Sequence, residues 1–305
     1  MSDQMQLNLV QTYFWVCDMF DKNPQWNYIR LSNNNQPVDF TDQEAVTIYL
    51  FVGKHQRYSK ISDIHAFAYH YLRDWFPNLT SYQKFNNRLN VIYPIFYDIV
   101  LDIITNNIPE NAQLNTLLID SLPIVTCKGR NRTAKVARHC TDKGYCSTKN
   151  MYYYGLKLHL LAFRRPGTIP FPELIGITAA SENDLTAFKN LFGDFIFNRV
   201  IFGDKIFSDQ PYFDVKSVKQ NIEMLTPIKL GKGESECVRQ REKAYRNLFG
   251  AAVSKVRQPV ESFFNWLNEK TQIQNAQKVR ATKGLALHVF GKIEAAFIYL
   301  IPFTC

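Results

Sequence analysis

Two aspartates and one glutamate hold positions suited to carboxylate chemistry. Asp120 interrupts the apolar run Leu117-Leu118-Ile119-Asp120-Ser121-Leu122-Pro123-Ile124-Val125, and Asp204 ends the run Val200-Ile201-Phe202-Gly203-Asp204. A carboxylate set among apolar side chains is costly unless it is paired, hydrogen-bonded or bound to metal. Glu261 follows Arg257 by four residues, on the polar side of a predicted helix whose apolar stripe is Val260, Phe263, Phe264 and Leu267. Each acid alone has an ordinary explanation. Asp204 fits a turn after Gly203, and Glu261 fits an i,i+4 ion pair with Arg257. Together they form an all-oxygen set suited to Mg²⁺ or Mn²⁺. Two such ions side by side would stabilise the attacking and leaving oxygens of an in-line phosphodiester displacement.

A phosphodiester substrate needs a basic surround, and the chain has one. Its 305 residues carry 36 Lys and Arg against 27 Asp and Glu, a net charge of +9. That balance points to a polyanion, either nucleic acid or an anionic membrane surface, or else describes an ordinary basic enzyme. Distribution favours the polyanion: residues 128 to 165 hold ten Lys or Arg and one acid, Asp142. Lys128, Arg130, Arg132, Lys157 and Arg257 are the candidate phosphate contacts. His159 joins Lys157 on one face of a predicted strand. Six scattered cysteines include no CxxC pair. Cys127, His139, Cys140 and Cys146 lie close in sequence but at spacings irregular for zinc. The opening residues lack a signal-peptide pattern, and the apolar run Ala295 to Phe303 is too short to span a bilayer. A cytoplasmic chain without a membrane partner is expected.

The elements that position these residues change character near residue 113. Before it the pattern is helical. Thr41 and Glu44 form a predicted capping box, and helices are expected over Ile61 to Trp75, over Tyr82 to Val91 after a Ser81 cap, and around Phe96 to Thr105. The helix over Tyr82 to Val91 is basic and rich in Asn. It suits either a DNA-reading helix-turn-helix or a plain helical bundle. Beyond residue 113, strands are predicted over Leu114 to Val125, Met151 to Phe163, Glu173 to Ala179, Arg199 to Phe202 and Ile222 to Pro227. Helices are expected over Asn183 to Phe192 (capped by Ser181 or Glu182), Gln210 to Lys219, Val256 to Gln272 and Thr282 to Leu300. Residues 229 to 244 suggest a basic connector. The prediction is an α/β protein with a mixed five-stranded sheet and flanking helices. An all-helical domain over 1–112, with DNA binding as one role, precedes a catalytic domain over 113–305 that carries a basic surface insertion at 128–150.

At its acids the sequence resembles the DDE transposases of bacterial insertion sequences. It is similar above all to the insertion-sequence family numbered 982, and more loosely to the family numbered 4. The likeness rests on Ile119-Asp120-Ser121-Leu122-Pro123-Ile124, Tyr154-Gly155-Leu156-Lys157-Leu158-His159, Phe202-Gly203-Asp204-Lys205 and Arg257-Gln258-Pro259-Val260-Glu261-Ser262-Phe263-Phe264-Asn265, with Leu79 to Leu89 upstream. It implies a ribonuclease-H-like core, with Asp120, Asp204 and Glu261 as ligands of two Mg²⁺ or Mn²⁺ ions. It also implies Lys157, His159 and Arg257 near DNA, and a homodimer assembled on transposon ends and target DNA in a bacterial nucleoid. Relatives with a Tyr-Arg-Glu-Lys signature have tyrosine and lysine where this chain has Ser254 and Asn268. A stand-alone nuclease and an inactive DNA-binding descendant are the rival functions.

Overall fold

The computed structural model describes residues 1–29, 39–58, 60–129, 136–147, 149–228, 233 and 235–301. Five helices come first: α1 (Asp3–Lys22), α2 (Asp42–Gln56), α3 (Ile61–Tyr71), α4 (Tyr82–Val91) and α5 (Tyr93–Asn106). Then follow β1 (Gln113–Lys128), β2 (Asp142–Cys146), β3 (Met151–Arg164), β4 (Phe171–Ala179), α6 (Asp184–Leu191), β5 (Arg199–Phe202), α7 (Gln210–Gln220), β6 (Ile222–Leu225), α8 (Glu236–Thr271) and α9 (Thr282–Phe297).

The chain divides into two compact units. One comprises Met1–Asn107, Lys135–Ala137 and Leu267–Cys305; the other comprises Ile108–Ala134 and Arg138–Trp266. The expected division gave all of 113–305 to a single domain. By compactness, the C-terminal stretch from Leu267 groups instead with the N-terminal helices.

In the helical unit, α2 opens with the capping box. Thr41 Oγ1 accepts from Glu44 N–H, and the Glu44 carboxylate accepts from Thr41 N–H. Nearly every residue of α2 from Ala45 to Val52 is buried, because α1 and α9 pack on it. Ser81 precedes α4 but makes no side-chain cap bond. Among the described residues no single helix is long and apolar enough to cross a membrane; α4 and α5 pass that test only as a bent pair. The apolar residues of α5, Ile95, Phe96, Ile99, Val100, Ile103 and Ile104, are buried in the unit.

The second unit is built on a six-stranded mixed sheet. β1 pairs antiparallel with β3 and parallel with β5, and β5 pairs parallel with β6. β2 and β4 follow one another along the far edge of β3, both antiparallel to it. The sixth strand, β2, corrects the expected five: it lies inside the basic insertion, where polar composition suggested only a surface loop. The expected cap of α6 is also corrected. Asn183, not Ser181 or Glu182, accepts from the N–H groups of Leu185 and Thr186.

Alternation along β1 fixes the chemistry of the unit. Its register with β3 runs unbroken from Leu117 to Val125, so Asp120 and Ser121 point to opposite sheet faces. Asp120 shares its face with Leu118, Leu122 and the opposed Leu160, all buried. Ser121 shares the other face with His159 and, two positions on, Lys157.

Helix α8 is the largest departure from expectation. It starts twenty residues before the predicted Val256, consumes most of the supposed connector, and passes through Pro259. Proline removes one helical N–H and crowds the preceding turn. Here the apolar stripe is buried on both sides of it, at Val253 before and Val260, Phe263, Phe264 and Leu267 after, and this burial carries the helix through.

Candidate active site

Asp120 and Asp204 are brought together by strand register. Leu118 of β1 lies opposite Phe202 of β5 in a parallel pair, and each acid stands two residues further along its own strand direction. Neighbouring strands are about 4.8 Å apart, so the two carboxylates arise side by side. Gly203 allows the close approach. A Cβ there would come within 2.9 Å of the Phe207 ring and 3.1 Å of the Ile119 side chain. Asp204 then turns the chain: its Oδ1 accepts from Ile206 N–H at 2.8 Å and caps a short 3₁₀ turn over Lys205–Phe207.

Glu261 comes from α8, and Arg257 links it to the strands. The Arg257 guanidinium donates through Nη1 to Asp120 Oδ2 at 2.9 Å and through Nη2 to Glu261 Oε1. The i,i+4 pair expected from sequence is present, but the arginine is shared with a strand carboxylate 137 residues away. The other Asp120 oxygen accepts from Ser121 N–H at 2.8 Å.

One guanidinium does not balance this cluster. Burial pushes the Asp120 carboxyl up, to about 6; Arg257 and the Ser121 N–H act against that shift, while Asp204 and Glu261 add to it. The charged form of Asp120 is thus disfavoured chiefly by burial, and Asp204 and Glu261 add to that cost. Among the described residues, no three His, Cys, Asp or Glu side chains are gathered closely enough to hold a metal ion. That holds for Asp120, Asp204 and Glu261, and for Cys127, His139, Cys140 and Cys146. By donor chemistry Asp120, Asp204 and Glu261 fit a hard divalent cation: all donors are carboxylate oxygens, and such an ion would relieve both the burial of the Asp120 charge and the repulsion from its neighbouring acids.

Lys157 and His159 lie elsewhere. They occupy the Ser121 face, opposite to Asp120, and are held there by Asp184 from the first turn of α6. Asp184 Oδ1 accepts from Lys157 Nζ at 3.0 Å and from Ser121 Oγ at 3.1 Å, and His159 Nδ1 is 3.9 Å from the same oxygen. Lys157 also donates to the Glu182 carbonyl at 2.7 Å, and His159 Nε2 meets Thr178 Oγ1 at 2.8 Å. Burial pushes the His159 imidazole down, to about 4; Asp184 acts against this and Lys157 with it.

Asp184 was missed in the sequence because its partners are remote, Ser121 being 63 residues away. Its only local signal is a position just after the Asn183 cap. Lys128 is exposed at the end of β1, opposite Tyr153. Arg130 and Arg132 lie outside the described residues. In the helical unit, Arg88 of α4 is turned inward: it donates to the Phe40 carbonyl and lies 3.5 Å from Asp42. Lys84 of the same helix is exposed.

Comparison with known proteins decides the family. The sequence model of the family described as the Transposase DDE domain matches residues 111–293, more than half of the chain. The chain belongs to this family. The matched span contains Asp120, Asp204, Arg257 and Glu261 and all six strands. Members of the family are transposases, enzymes that act on DNA, and DDE transposases use divalent metal ions. No curated protein and no solved structure matches the chain.

Proposed function

We propose that this transposase cuts DNA at the ends of an insertion sequence and joins the freed ends to target DNA, with Asp120, Asp204 and Glu261 as its metal-binding carboxylates. One observation carries the proposal: Arg257 bridges Asp120 and Glu261, strand register brings Asp204 beside Asp120, and burial pushes the Asp120 carboxyl up. Bound Mg²⁺ or Mn²⁺, two ions in the full site, would activate a hydroxyl and stabilise the attacking and leaving oxygens. Water attacks the phosphodiester in line and releases a 3′-hydroxyl, which then attacks a phosphodiester of the target. Asp120 and Asp204 are held by the sheet, and Glu261 by the rigid frame of α8. Arg257 supplies a cation beside them and is the residue we assign to the phosphate.

The strand order supports a ribonuclease-H-like core. A central β1 has two parallel neighbours in succession on one side, β5 and β6, and the antiparallel pair β3 and β4 on the other. Likeness to the insertion-sequence family numbered 982 rests on the motif order given above. Exposed Lys128, with Arg130 and Arg132, is proposed to track the DNA backbone, and the helical unit to add contacts through α4. A homodimer assembled on paired ends in the bacterial cytoplasm completes the proposal.

Labelled end fragments incubated with a plasmid target and Mg²⁺ test the reaction. Wild type should give cleaved ends and joined products. Asp120→Asn and Asp204→Asn should give neither while still binding DNA. Cleavage without joining would identify a stand-alone nuclease.

A further inference from the structure

The β2–β3 hairpin has one anchored face and one open aromatic face. On the anchored side, Tyr153 and Cys146 pack with Val125, Ala180 and the partly buried Met151. On the open side, the opposed pair Tyr145 and Tyr152 is 49% and 58% exposed. Their ring centroids are 5.0 Å apart at 54°, and Lys143 Nζ stands 4.9 Å from the centre of the Tyr152 ring. Tyr145 Oη donates to Asn150 Oδ1 at 2.7 Å, which fixes the direction of that ring. Two large rings exposed beside a lysine are not required for the hairpin to fold, because its other face does the packing.

Position adds to this. Alternation along β3 from Leu160, the residue opposite Asp120, puts Tyr152 on the sheet face that Asp120 shares. Eight residues of strand separate the two, at most about 27 Å.

We propose that Tyr145, Tyr152 and Lys143 form a platform for an unpaired nucleobase of the bound DNA. The rings supply stacking surface, which any base accepts, and Lys143 supplies charge for the adjoining phosphate. A paired base hides its faces within the duplex, so exposed rings favour an unpaired one. A strand advances about 3.4 Å per nucleotide in duplex DNA, so about eight nucleotides of duplex span that distance from a phosphate at Asp120. The inference rests on the proposed DNA-cutting reaction only for that spacing.

The test compares wild type, a Tyr145→Ala/Tyr152→Ala protein and a Tyr145→Phe/Tyr152→Phe protein on a single-stranded oligonucleotide and on a blunt duplex of the same sequence. The alanine pair should weaken single-strand binding roughly tenfold or more, the size of one lost stacking contact. Duplex binding should change less than about twofold, and the phenylalanine pair should stay near wild type. Photo-crosslinking of a 5-iodouracil-containing single strand should map to Tyr145 or Tyr152. Equal losses on both DNA forms, no loss on either, or a crosslink elsewhere would overturn the platform. Asp120→Asn reports separately on the reaction: if it still cleaves, the assignment of the carboxylates fails whatever the tyrosines do.

Discussion

The two faces of the sheet at Asp120 and Ser121 treat a carboxylate in opposite ways. On one, Asp184 receives a lysine, a hydroxyl and the approach of an imidazole, and Lys157 finds a second acceptor in a backbone carbonyl. On the other, Asp120 and Glu261 share Arg257, and Asp204 stands beside Asp120 without a side-chain pairing to that arginine. The first is a completed network that ties α6 to the sheet. The second is incomplete, and burial with like charge raises Asp120 to about 6. Adjacent residues of one strand thus serve stability on one side and, in our proposal, cation binding on the other.

The largest effect should come from the incomplete face. Asp120→Asn or Asp204→Asn should lower Mg²⁺-dependent cleavage by at least about a thousandfold, on the scale of losing an essential transition-state charge. DNA binding, measured by gel shift, should persist. The completed face should answer differently. Asp184→Ala takes the carboxylate from Lys157 and leaves it the Glu182 carbonyl, and should cost about 2–3 kcal/mol in urea unfolding, below a fully buried pair because that acceptor remains and both side chains keep about 15% exposure. Cleavage per folded molecule should fall less than about tenfold. A larger loss without destabilisation would erase the contrast between the faces.

The contrast sharpens with pH. A folded pKa raised above the unfolded value means the native state holds a proton that the unfolded state has released. Asp120 should therefore make stability fall as pH rises from about 4 to about 6. His159, pushed down to about 4, acts in the other direction: stability should fall as pH drops from about 6.5 toward 4. Asp120→Asn mimics the protonated acid. It should remove the first slope and gain about 1–2 kcal/mol at pH 7, allowing for residual solvent access. One substitution would then be both inactive and more stable, as expected where function is held against stability. The smallest effect on stability belongs to Glu261, whose side chain is 52% exposed. Glu261→Gln should change stability by less than about 1 kcal/mol yet abolish most cleavage. Near-normal cleavage would remove it from the trio.

Much of the sheet was legible because burial imposes period two. β1 and β3 alternate plainly, and Asp120 stands out against its apolar neighbours. Asp204 was legible as a strand end. Its place beside Asp120 was not, since that depends on β1 and β5 pairing in parallel across some 80 residues. β2 went unseen because it is five residues long and opens on Asp142, Lys143 and Gly144, a composition shared with turns. The early start of α8 was hidden by the basic, polar composition of the residues before it, which reads as a connector, and the buried stripe carries the helix through Pro259. The sequence also placed Lys157 and His159 correctly on one strand face. Which face, and that Asp184 claims them, is decided by contacts more than twenty residues distant or by strand register.

Crystals grown with Mn²⁺ and a DNA duplex give the most direct test of the carboxylate site. The anomalous map should show manganese within roughly 2.0–2.3 Å of carboxylate oxygens of both Asp120 and Asp204, with Arg257 moved off Asp120. An empty Asp120 face with Arg257 still bridging Asp120 and Glu261, or manganese bound elsewhere, would contradict it.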